Sequence, residues 1–145
     1  MARTRLAAVL VALSLGAQLA VAYGVAPLLF ARLDGVTAGE LAGDLLHWIE
    51  WATCLLLMMA AFLEPGVRRG FALAVFLLQL VLLMYVEPQM HALKLAPDWP
   101  DGPSRQAFMS WHGMAQALYL AGVLLQGVWL ISWLRGMSEP DKRTL

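Results

Sequence analysis

The chain is poor in what most soluble or catalytic domains rely on. It holds a single cysteine, Cys54, so it has no internal disulfide and no CxxC pair, and it has no HExxH run. Only 14% of its 145 residues are charged and the formal net charge is zero. That leaves no basic surface for nucleic acid or another polyanion, and the few basic residues matter by position rather than number. No catalytic residue and no reaction are assigned.

What the chain does have is apolar length: 61% of residues are hydrophobic. A bilayer core of ~30 Å takes about 20 apolar residues as helix. Four segments reach or approach that length: about 6–31, 41–63, 70–90 and 106–134. They are too long and too continuously apolar for barrel strands, and a helix satisfies its own backbone in lipid. The expected fold is therefore all-α, an integral-membrane antiparallel four-helix bundle over 1–135, followed by a polar tail at 136–145. Arg3, Arg5, Arg68, Arg69, Arg135, Lys142 and Arg143 flank one side of these spans, whereas Arg32, Lys94 and Arg105 flank the other. That bias places both termini in the cytoplasm, with the lipid bilayer as the protein's first partner.

The first span begins like a secretory signal, with MARTR before an apolar run and a small-residue site at Ala20-Val21-Ala22. Apolar character continues through Tyr23 to Phe30, so the segment is read as a retained helix. Ser14 and Gln18 suit close helix contact, and Pro27 is expected to kink the helix or set its exit angle. Thr37 and Glu40 fit a capping box at the start of the second helix. Glu64-Pro65-Gly66 reads as a tight turn that makes the second and third helices neighbours. Pro88 is expected to disturb the last turn of the third helix, and the Pro-rich stretch 92–105 to be ordered but not helical.

Two polar stripes run along these apolar helices. On the second, Asp44, His47, Glu50, Trp51, Cys54 and Met58 fall within an arc of roughly 120° on a helical wheel. On the fourth, Arg105, His112, Gln116, Tyr119 and Gln126 span about 80°. Counting inward from the expected helix starts, His47 and His112 both lie about 9 Å deep at ~1.5 Å per residue. Glu50 is one turn deeper, Glu87 is in the same outer layer, and His91 lies at its surface. Neutral imidazole ligates haem iron, copper and zinc, and helical bundles build such sites from facing helices. The expected site is thus a His/Glu layer near the outer face. His47 and His112 are the candidate ligands for haem b, and these two with Glu50, Glu87 and His91 the candidate ligands for copper or zinc. Met90, Met109 and Met114 are nearby soft donors. The alternatives are that the stripes only specify packing in an accessory subunit of a larger membrane complex, or that they serve a small proton-linked transporter working as a homo-oligomer.

Tyr23 to Phe30 with Ala38-Gly39, Glu87-Pro88-Gln89-Met90, and Phe108-Met109-Ser110-Trp111-His112-Gly113-Met114 resemble the motifs of a bacterial family of uncharacterised four-helix membrane proteins related to the transmembrane protein 205-like proteins. The architecture is also similar to copper-resistance protein D-like and membrane protoporphyrinogen oxidase-like proteins. That resemblance implies four or more helices with histidines able to hold haem or metal.

Overall fold

The computed structural model describes residues 2–138. Four long helices account for nearly all of them: α1 (Ala2–Arg32), α2 (Gly35–Leu63), α3 (Gly66–Lys94) and α4 (Pro103–Ser138). Each is long and apolar enough to cross a membrane. The segment 139–145, with Lys142 and Arg143, lies outside the described residues.

Every helix is longer than its apolar run. α2 begins at Gly35 because Asp34, extended at its N-cap, accepts hydrogen bonds on Oδ1 from the backbone N–H groups of Val36 (3.1 Å) and Thr37 (3.0 Å). These bonds hold the Asp34 carboxyl below its usual range, and Asp34 rather than the expected Thr37–Glu40 box starts the helix. α4 begins at Pro103, a residue suited to a first helical turn. There Asp98 Oδ2 accepts the Ser104 backbone N–H at 2.8 Å, which lowers the Asp98 carboxyl as well.

Pro27 and Pro88 break neither helix. Each is separated by one residue from the π-helical stretch before it, residues Ala20–Val25 in α1 and Leu82–Val86 in α3. A proline has no N–H to donate and its ring crowds the preceding turn. The wider i→i+5 turn, as in Ala26 N–H to Val21 O and Glu87 N–H to Leu82 O, absorbs both demands. The third helix consequently runs on to Lys94 and carries Glu87 and His91 within it. Between α2 and α3 the chain turns at Glu64-Pro65, with Gly66 at φ +63°, a conformation glycine adopts without penalty. Arg69 Nε closes the turn by donating to the carbonyls of Ala61 (3.1 Å) and Glu64 (2.9 Å).

The helices pack as a ring: α1 against α2 and α4, and α3 against α2 and α4. The opposite pairs, α1 with α3 and α2 with α4, have no Cα–Cα approach within 8 Å among the described residues. Small residues close the seams. Ala7, Ala8, Ala38, Ala42, Ala60, Ala61 and Ala72 are buried, so backbones approach closely where dispersion rather than the hydrophobic effect must hold helices in lipid. The apolar core, around Val11, Leu57, Val75 and Trp129, sits toward the 64–65 turn, where Trp129 Nε1 donates to the Arg68 carbonyl at 3.2 Å. Large apolar side chains such as Trp48, Leu55, Phe62 and Leu77 instead face outward, as a lipid environment requires.

Candidate functional site

The chain's few polar groups separate into two clusters, one toward the end carrying the 95–102 connection and one at mid-length. The first is built where α2 meets α3. His47 Nδ1 and Glu87 Oε2 lie 2.6 Å apart. The indole N–H of Trp51, one turn along α2, donates to His47 Nε2 at 3.2 Å. An indole can only donate, so Nε2 must offer its lone pair; the ring proton of neutral His47 is therefore on Nδ1 and is donated to Glu87. Trp48 and Trp51 both meet the imidazole edge-on, at 6.0 and 6.4 Å between centroids. Glu50 stands on the same face of α2, buried, and near enough to Glu87 for the two carboxyl groups to interact electrostatically. His47 and Glu87 are thus hydrogen-bonded across two helices, with a third ionisable group, Glu50, beside them.

Within the expected His/Glu layer, His47 takes Glu87 on the neighbouring helix as its partner. Glu50 lies beside Glu87, and Arg32 and Arg105 are exposed. Because α2 starts at Gly35, His47 lies about 18 Å along it and Glu50 about 22 Å, further from the helix start than the count of about 9 Å from residue 41 expects for His47.

His112 belongs to a different neighbourhood. It is on α4, the corner opposite α2, and its Nε2 accepts from the Gln116 side-chain amide at 3.1 Å. Phe108 stacks on it at 5.7 Å with planes 12° apart, and Phe108 in turn meets Trp99 of the 95–102 connection and the Lys94 ammonium at 5.5 Å. His91 is exposed on the last turns of α3, and Met109 and Met114 are exposed on α4. Among the described residues, no three of His, Cys, Asp and Glu converge in a way that could hold a metal ion. The five candidate ligands thus divide into His47, Glu50 and Glu87 together, with His112 and His91 apart.

The second cluster has no charge. Ser14 Oγ donates to Gln126 Oε1 at 2.7 Å, Gln126 Nε2 donates to Gln18 Oε1 at 2.7 Å, and the Tyr119 hydroxyl donates to the Gln18 carbonyl at 2.8 Å. Ser14, Gln18 and Gln126 are at most 1% exposed, and together they tie α1 to α4. The sequence offered these residues as helix-packing groups. It gave no sign that Gln79 of α3 and Thr53 of α2 are also buried polar groups, both 1% exposed, with Gln79 beside Gly122 of α4; a polar side chain in an otherwise apolar run was the available signal.

No curated protein and no solved structure matches the chain. Residues 9–97 match the family described as "Domain of unknown function (DUF4149)", a stretch that holds His47, Glu50, Glu87 and His91 and ends before His112. The chain belongs to that DUF4149 family.

Proposed function

We propose that the protein is a multi-pass protein of the bacterial inner membrane, an antiparallel four-helix bundle with both termini in the cytoplasm, whose His47–Glu87–Glu50 group takes up and releases protons. The observation that carries this reading is the 2.6 Å bond between His47 and Glu87, made across two helices inside an apolar protein. Ionisable residues within membrane helices are costly, pair with one another, and characteristically form proton relays in pumps and transporters. Histidine is the side chain whose charge changes most readily near neutral pH. His47 remains partly open, its side chain 43% exposed against 21% for Glu87, so it supplies the entrance and Glu50 the interior end. The basic residues on the 64–65 side support the orientation, with His47 toward the outer face. Four helices enclose too little space for a pore, so a homo-oligomer or a larger membrane complex completes the transport unit.

The test is proton uptake into liposomes holding the purified protein, driven by a pH step and read with an enclosed pH-sensitive dye. Uptake above protein-free liposomes that falls at least tenfold in Glu87→Gln supports the reading; uptake equal to the protein-free rate rejects it.

A second reading has its own support. A histidine whose Nδ1–H is held by a carboxylate is oriented as metal-ligating histidines are, with Nε2 free to bind once a weaker partner such as the Trp51 N–H is displaced. His47 braced by Glu87 would then be one ligand to haem b, copper or zinc, in keeping with the resemblance to transmembrane protein 205-like and copper-resistance protein D-like proteins. The described residues do not complete a metal's shell around it, so the remaining ligands would come from a second copy or another protein. A Soret band or stoichiometric metal in the purified protein, lost in His47→Ala, supports this reading, and protein free of both rejects it.

A further inference from the structure

The mid-length cluster contains more hydrogen-bonding capacity than its own members use. Gln18 Nε2, Gln79 Nε2, Thr53 Oγ1 and Glu50 Oε2 are each fully buried and without a hydrogen-bond partner among the described residues. They come from three helices, α1, α3 and α2, that adjoin one another around the ring. Thr53 lies six residues inward of His47 and Gln79 eight inward of Glu87, so the two stand at nearly the same depth. Gln79 Nε2 lies beside Gly122, where an added Cβ would sit 3.2 Å from it, and the Gly122 carbonyl accepts from Gln126 Nε2 at 3.3 Å. Gln126 bonds Gln18, and Tyr119, bonded to the Gln18 carbonyl, lies within electrostatic range of Glu50. The unused groups are mostly donors: two amide NH2 groups and a hydroxyl against one carboxyl oxygen.

A buried amide left unbonded costs roughly 1–3 kcal/mol, and in hydrocarbon no outside solvent relieves it. Four such groups on adjoining helices are the usual setting for buried water, which characteristically makes about three hydrogen bonds to groups of this kind. We infer that ordered water occupies the centre of the ring, accepting hydrogen bonds from the Gln18 and Gln79 amides, exchanging them with Thr53, and donating to Glu50. This site deepens the proton-exchange reading, because it gives Glu50 a hydrogen-bonded connection inward from the His47–Glu87 pair. The water itself stands independently of that use.

Full-length protein labelled with ¹⁵N-glutamine, reconstituted in lipid, tests this by solid-state NMR transfer of magnetisation from water to the side-chain amides. Transfer to Gln18 and Gln79 is expected, with the Gln79 signal identified by its loss in Gln79→Leu and weakened in Gly122→Ala. Absence of transfer at both amides overturns the inference. So does a Gln79→Leu variant of higher thermal stability, since deleting an amide that truly lacks a partner relieves its cost, whereas deleting a water ligand does not. Water transfer without proton uptake in liposomes would sink the proton reading and leave the water site standing.

Discussion

The two polar regions of this protein solve the same problem in opposite ways. The His47–Glu87–Glu50 group uses ionisable side chains, stays partly open, and joins α2 to α3. The Ser14–Gln18–Gln126 group uses neutral side chains, is closed to solvent, and joins α1 to α4. A neutral network in lipid can be satisfied by hydrogen bonds alone and needs no function to explain it. A charged one is harder to justify by packing, because an apolar pair of similar volume would serve as well or better. On the proposed reading, the second region serves structure and the first serves proton exchange.

The comparison breaks most visibly if the neutral region is cut. Gln126→Leu removes its bonds to Ser14, Gln18 and the Gly122 carbonyl, and the expected loss is about 2 kcal/mol of stability in detergent or lipid, read as a lower midpoint of unfolding. Next in size is Glu64, buried at the turn between α2 and α3 with Oε1 unpartnered among the described residues. Burial raises its carboxyl, with Arg68 partly opposing. A raised carboxyl favours the folded state in its protonated form, so the contribution is complete below the unfolded value of 4.5 and is lost as pH rises through the folded value. Glu64→Gln, held neutral, is expected to gain about 1 kcal/mol at pH 7 and to show no gain at about pH 4, measured by thermal unfolding at both pH values.

Smaller effects sharpen the boundary between the regions. His112→Ala deletes one bond to Gln116 and a stack on Phe108, worth about 0.5–1 kcal/mol, and proton uptake should be unchanged; a loss of uptake would place His112 back beside His47. The smallest effect is at Asp34. Its depressed carboxyl supports α2 above the unfolded value of 3.8 and loses that support as pH falls through the lower folded value. Asp34→Ala should therefore lower the midpoint of unfolding at neutral pH and match the wild type in strong acid.

Much of the fold was legible because membrane helices are written as apolar length. The four spans, the tight Glu64–Gly66 turn and the polar character of Ser14, Gln18 and Gln126 all follow from composition and 3.6-residue spacing. Helix ends were less legible, since Asp34 and Thr37 are both acceptable caps and only the backbone chooses between them. The π turns before Pro27 and Pro88 were hidden for a related reason: proline announces that a helix must kink, stop or widen, without saying which. The site was half visible. Periodicity placed His47 and Glu50 on one face, but the partner of His47 depended on the register of α3, which the π turn shifts, and His112 looked equivalent because depth can be counted along a chain whereas the order of corners in a ring cannot.

Proton uptake into liposomes by a double-mutant cycle on His47 and Glu87 tests the central claim most directly. If the two side chains act as one unit, His47→Ala, Glu87→Gln and the double variant each lower uptake by a similar factor of at least about ten, a coupling near 1.4 kcal/mol. Uptake that is unaffected by either single change, or losses that multiply in the double variant, would contradict it.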